Sequence, residues 1–241
     1  MNNKIEREVL KLYDYAEKLV YQSGYGEYVT TLRDLLQKKP YKNINKSEFL
    51  KQYTWSVFTC GFKADTVRSH WSEIQEMLFN FNVKKIRKLS FEDILDRSPI
   101  KNKRKVNAIY KTCRDMDDKF IEKIKNIGSK SEAQKLFKSL PFIGDITVFH
   151  ILRNLGIDCY KPDRHIVTLA KNLKIDENEL FQILLSHKKD KYIGILDFIL
   201  WRASACLNSA KKLIKFAKQD HPLEEIDILA QADKNFDFFL Y

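Results

Sequence analysis

The sequence predicts an all-α protein, and three observations predict it. Only seven Gly and five Pro interrupt the 241 residues. Apolar side chains recur at helical spacing almost throughout, beginning with Ile5, Val9, Leu12, Tyr13, Ala16 and Leu19. Alternating runs of the kind a half-buried strand needs are scarce, which limits any sheet to a small one.

Breaks at Gly, Pro, Asn and Ser delimit the elements in order. A first helix is expected over 3–22, ending before Ser23-Gly24, and a second over 26–37, ending before Pro40. Helices at 46–60 and 64–79 flank Gly61, short ones at 83–88 and 91–96 follow Asn82 and Ser90, and a long one is expected over 102–126. Further helices are expected at 130–139, 145–155, 164–173, 176–188, 190–206 and 208–218. Ser90, Ser129 and Asp163 each precede a helical pattern with an oxygen able to accept from the free amides of a first turn. The closing stretch HPLEEIDILAQADKNFDFFLY mixes acids with aromatics and is expected to pack back on the body.

Charge narrows the partner. Lys and Arg number 43 against 32 Asp and Glu, a formal charge of +11 and a pI of about 9.3. Such an excess favours a polyanion, nucleic acid first and an acidic membrane surface second. The densest runs are NVKKIRK (82–88) and IKNKRK (100–105), each as compatible with a solvated helix face as with a binding patch. Cys60, Cys113, Cys159 and Cys206 match neither a zinc nor an iron–sulfur spacing, so no metal is expected. The charged start MNNKIEREVLKLY lacks a signal-peptide core and no stretch reaches membrane-span length. The expectation is a soluble, cytoplasmic protein without membrane attachment.

Two neighbouring stretches carry chemistry. LPFIGDIT (140–147) joins two helices through a Pro and a Gly, and such a turn leaves the first amides of the second helix free for an anion. By itself it fits an ordinary helix connection better, with Pro and Gly serving geometry alone. KPDRH (161–165) places Asp163 at the start of a helix, where a carboxylate is held ionised by unpaired amides and Pro162 limits its wander.

Together, LPFIGDIT and KPDRHIVTLA resemble the helix-hairpin-helix DNA glycosylase superfamily. In that superfamily the hairpin reads LPGVGxxTA and is followed, one helix later, by a (V/P)D-x-H segment with the essential aspartate. Gly144 takes the second hairpin glycine, Thr147 the threonine, and Asp163 with His165 the Asp-x-His pair. WSVFTCGFKADTVRSHW (55–71) stands where the family has a helix, a DNA-facing loop and a second helix, and IKNKRKVNAIYKTC (100–113) where it has a basic turn and helix. The likeness runs in the right order from about 45 to 172. Phe142 departs from it by replacing the first hairpin glycine. Ile146 departs by standing where bifunctional members carry a nucleophilic lysine, and an alkyl chain cannot form a Schiff base.

The resemblance implies a two-lobed fold, with a central lobe over 45–155 ending in the hairpin and a second lobe made of 1–44 and 156–241. It implies an active site in the cleft between lobes, with Asp163 as the catalytic carboxylate. It implies DNA-backbone contacts at Pro141, Phe142, Ile143, Gly144, Asp145, Ile146, Thr147, Lys161 and Arg164. For a base pocket or wedge it points to Trp55, Gly61, Phe62, Lys63, Asp197 and Trp201. The activity implied is that of a monofunctional N-glycosylase, a monomer without cofactor. Its partner is double-stranded DNA bearing a damaged or modified base, from which the base is excised to leave an abasic site. Repair and removal of hypermodified phage bases are equally open. Three alternatives stay beside it: a bifunctional glycosylase with β-lyase activity from another lysine such as Lys161, a non-catalytic helix-hairpin-helix DNA-binding protein, and a helical protein-interaction module whose basic charge is incidental.

Overall fold

The structure, a computed structural model, describes residues 3–62 and 64–226. Among them it is all-helical, without strands. In chain order the helices are α1 (Asn3–Gln22), α2 (Gly26–Lys38), α3 (Lys46–Thr59), α4 (Ala64–Ser69), α5 (Trp71–Met77), α6 (Val83–Ile86), α7 (Phe91–Arg97) and α8 (Lys103–Asp115). They continue with α9 (Asp118–Lys125), α10 (Lys130–Lys138), α11 (Thr147–Asn154), α12 (Arg164–Leu173), α13 (Glu177–Ser186), α14 (Ile193–Cys206) and α15 (Ala210–Gln219). Short 3-10 turns lie at Pro40–Asn43, Phe79–Phe81 and Leu223–Glu225.

Contacts divide the described residues into two compact units, one built from 3–37 together with 158–226, the other from Lys38–Ile157. Each is organised around a helix buried on nearly every side, the arrangement expected of a helix that is not amphipathic. In the first unit this is α14, whose Ile195, Leu196, Ile199 and Leu200 are buried, with α1 packed along it through Val9, Tyr13, Ala16 and Leu19. In the second it is α3, buried from Phe49 to Phe58 except at Lys51, with α8 and α11 packed against it. Burying each such Leu, Ile or Phe contributes about 1.5–3 kcal/mol.

The expected caps are present. Ser90 accepts from Asp93 N while the Asp93 carboxylate accepts from Ser90 N, a closed capping box. Ser129 accepts from Glu132 N. Two expected helices are broken instead. The stretch 64–79 divides at His70 into α4 and α5 and then enters a left-handed turn, Phe79, Asn80 and Phe81 all having positive φ. The stretch 102–126 divides at Asp117, which is extended and caps α9 by accepting from Phe120 N. Both breaks lie inside runs whose apolar periodicity is continuous, so periodicity alone hides them. The closing stretch beyond residue 226 lies outside the described residues.

The reciprocal box at Ser90 gives a stability prediction. Ser90→Ala should lower the unfolding free energy by about 1 kcal/mol in urea titration, whereas Ser90→Asp should be near neutral.

Candidate functional site

The hairpin grows out of the end of α10. Ile143 N donates to Leu140 O at 3.2 Å, closing a four-residue turn with Pro141 in second place and Phe142, at φ 65, in third. That is a type II turn, whose third position favours glycine because φ there is positive. Phe142 therefore occupies a glycine conformation with a side chain attached, at a cost of about 1–2 kcal/mol. Beyond it the chain is open. Gly144, Asp145 and Ile146 are exposed, a Cβ on Gly144 would meet nothing within 4 Å, and α11 begins at Thr147. Val148 N closes the first helical bond to Gly144 O at 3.0 Å, and among the described residues the amides of Gly144 through Thr147 find no backbone acceptor. These free donors at the positive end of α11 suit an anion.

Side chains fix this turn from behind. The Tyr53 hydroxyl donates to Pro141 O at 2.6 Å, tying the turn to α3. Ile143 is buried, Thr147 Oγ1 lies 3.4 Å from Cys60 Sγ, and Lys138 pairs with Asp145 at 2.6 Å. That pairing holds the Asp145 carboxyl below its usual range.

Lys105, only 4 % exposed, joins the turn to the loop after α3. Its ammonium donates to Val57 O at 2.6 Å, to Phe58 O at 3.0 Å and to Cys60 O, so all three hydrogens serve the carbonyl end of α3. The same ammonium lies 4.8 Å from the ring centre of Phe62 and 5.6 Å from that of Phe142, with the Arg104 guanidinium 5.7 Å from the latter. Burial pushes Lys105 below the ordinary lysine range. The run IKNKRK reads as a solvated helix face or as a binding patch, and neither reading turns Lys105 inward, since one inward member of a basic run carries no mark of its own.

In the other unit, the segment leading to Asp163 lies across the start of α14. Asp158 accepts from Ile193 N at 3.2 Å and Gly194 N at 2.8 Å, and Asp197 accepts from Lys161 N at 3.3 Å. A tight turn over Pro162 follows, Asp163 N donating to Lys161 O at 2.8 Å. Asp163 then caps α12: its Oδ1 accepts from His165 N at 2.9 Å and Ile166 N at 3.1 Å. Oδ2 takes no hydrogen bond among the described residues. The Arg164 side chain beside it is exposed, and Lys161 is half-buried.

The pocket residues expected from sequence fare differently. Trp55 is 1 % exposed and edge-on to Trp71 at 5.2 Å, within the core of its unit. Asp197 is likewise 1 % exposed, its Oδ2 accepting from Lys161 N at 3.3 Å. The Trp201 ring is half-buried, with the Arg202 guanidinium 4.4 Å from its centre. Gly61, at φ 81, and the half-exposed Phe62 form the accessible part of their loop. Lys63 lies outside the described residues. The four cysteines are free thiols, and no group of three or more His, Cys, Asp or Glu able to hold a metal occurs among the described residues. No helix described is long and apolar enough to cross a membrane.

Two predictions follow from these contacts. Lys105→Met leaves three carbonyls without their donor and should cost about 2 kcal/mol or more in urea unfolding. Burial pushes His165 below its ordinary value of 6.5, with Asp163 pulling partly the other way. A histidine lowered on folding binds fewer protons in the folded state. Its stabilising contribution is full above pH 6.5 and is lost as pH falls below it. Between pH 7 and 5 the Tm of the wild type should therefore fall more than that of His165→Gln, by an amount on the order of 1–2 °C.

Compared with family models, with curated proteins and with solved structures, the chain has no match.

Proposed function

We propose that the protein is a monofunctional DNA N-glycosylase that extrudes and excises a damaged or modified base, leaving an abasic site. The observation that carries this reading is Asp163, a carboxylate fixed through Oδ1 by two helix amides with Oδ2 left open. Cleaving an N-glycosidic bond builds positive charge on the sugar, and a fixed anion beside it stabilises that charge and orients water. The bond's electron pair leaves with the base, the oxygen of water bonds to the sugar carbon, and a proton from that water passes to the carboxylate. The free amides of the hairpin support the reading from the DNA side, as donors for a backbone phosphate. The net charge of +11 supports a polyanionic partner. Phe62, half-exposed on the Lys105 ammonium, is the wedge candidate for the gap a flipped base leaves.

Ile146 is exposed at 49 % and cannot act as an amine nucleophile, which favours hydrolysis over lyase chemistry. A second reading rests on the same aspartate: its two accepted bonds are those of any N-cap, as in a non-catalytic hairpin protein that binds DNA.

Asp163→Asn separates the two. Asparagine caps as well as aspartate, so the fold and DNA affinity should persist, while base release from damaged or phage-modified DNA falls on the order of 100-fold or more. Mass spectrometry of released bases reads this directly. Release undiminished in the variant, or absent in wild type on a full panel of modified DNAs, would remove the catalytic assignment. Borohydride should trap no covalent enzyme–DNA adduct during turnover. An adduct dependent on Lys161 would instead assign a lyase.

A further inference from the structure

The second unit holds another cavity, of about 730 Å³, at the opposite end of α3 from the Phe62 loop. Its walls are Asn45 to Ser47, the left-handed turn Phe79–Phe81, the start of α6, and the face of α9 bearing Asp118, Ile121, Glu122 and Lys125. With 14 residues in α3, this end lies about 20 Å from Thr59. It is a separate place from the hairpin and its loop.

Its lining has two chemistries. Ile44, Phe81 and Ile121 are buried and make an apolar floor. Around them stand four cations, Lys46, Lys84, Arg87 and Lys125, against two carboxylates, Asp118 and Glu122. Lys46 is paired with Asp118 at 2.8 Å and Lys125 with Glu122 at 2.8 Å, which neutralises both acids. Arg87 donates to Cys113 O and Met116 O and is anchored by them. Lys84 is exposed and takes part in no ion pair among the described residues. The excess charge is thus positive, while the floor asks for an apolar ring.

The backbone adds a third feature. Phe79, Asn80 and Phe81 have φ of 49°, 52° and 60°, three successive left-handed residues without a glycine. This conformation costs about 1–2 kcal/mol per residue and is normally confined to single positions. Its effect is to keep Phe81 in the floor while leaving the Phe79 ring half-exposed at the rim, flanked by Lys85 at 5.9 Å and Arg97 at 5.4 Å. Strain retained in this way tends to mark a working surface.

We propose that this cavity binds a phosphorylated nucleoside, its phosphate held by Lys84 and its base laid on the aromatic turn. The volume falls within the range of small-molecule sites. A divalent cation is disfavoured by the positive excess, and a wholly apolar ligand by the charged rim. The ligand is a free nucleotide or the terminal nucleotide of a strand, two sources sharing one chemistry. The proposal stands independently of the glycosylase reading.

Isothermal titration calorimetry of the full chain tests it, with the four ribonucleoside triphosphates, inorganic phosphate and a single-stranded pentanucleotide as probes at low salt. Saturable one-to-one binding of a nucleotide is expected, with inorganic phosphate at least about tenfold weaker because it lacks the ring. Lys84→Glu, a change at an exposed site, should weaken nucleotide binding about tenfold or more, and Phe79→Gly, which suits the positive φ, should weaken it severalfold. Lys171→Glu, in the other unit, should change nothing. Binding of the pentanucleotide alone, with the same Lys84 dependence, would assign the strand end as the source and sustain the proposal. No saturable binding of any probe at millimolar concentration, or an affinity indifferent to Lys84→Glu, would overturn it.

Discussion

The buried ammonium of Lys105 is the contact on which the arrangement of the second unit depends. A lysine removed from water is costly unless every hydrogen finds an acceptor. Here the acceptors are the carbonyls of Val57, Phe58 and Cys60, which the end of α3 leaves without intrahelical partners. The negative end of the α3 dipole supports the same charge. Each group would be destabilising alone, and each satisfies the other. Because Phe62 and Phe142 lie against the remaining faces of the ammonium, one charge sets the positions of the loop after α3 and of the hairpin turn.

That contact also accounts for a residue that local rules disfavour. Phe142 sits at φ 65, where glycine is the unstrained choice, yet its ring lies near two cations, Lys105 and Arg104. Cation–π attraction contributes about 0.5–2 kcal/mol per contact, enough to offset the conformational cost. A phenylalanine is thus accommodated without changing the course of the turn. In the proposed reaction, this preserves the free amides of Gly144 to Ile146 as phosphate donors.

In the first unit the corresponding task falls to carboxylates. Asp158 and Asp197 both bond backbone amides, one at the start of α14 and the other at Lys161, and between them they fix the chain that delivers Asp163. Pro162 narrows the remaining freedom. Capping and the proposed catalysis are compatible because they use different oxygens: Oδ1 orders the carboxylate, and Oδ2 is left for chemistry.

The sequence by itself determined the helical class, most helix limits and the caps at Ser90, Ser129 and Asp163, because apolar period, capping oxygens and helix breakers act over a few residues. It also marked the hairpin and Asp163 as the places to look. It did not reveal the breaks at His70 and Asp117, which interrupt a continuous apolar pattern. Nor did it separate Trp55, a core residue, from Phe62, an accessible one, since both are aromatic and only seven positions apart. Tertiary structure alone decided those points, and above all it turned one lysine of a basic run inward. Whether a charge faces water or a ring of carbonyls depends on where a distant helix ends, and no local pattern carries that information.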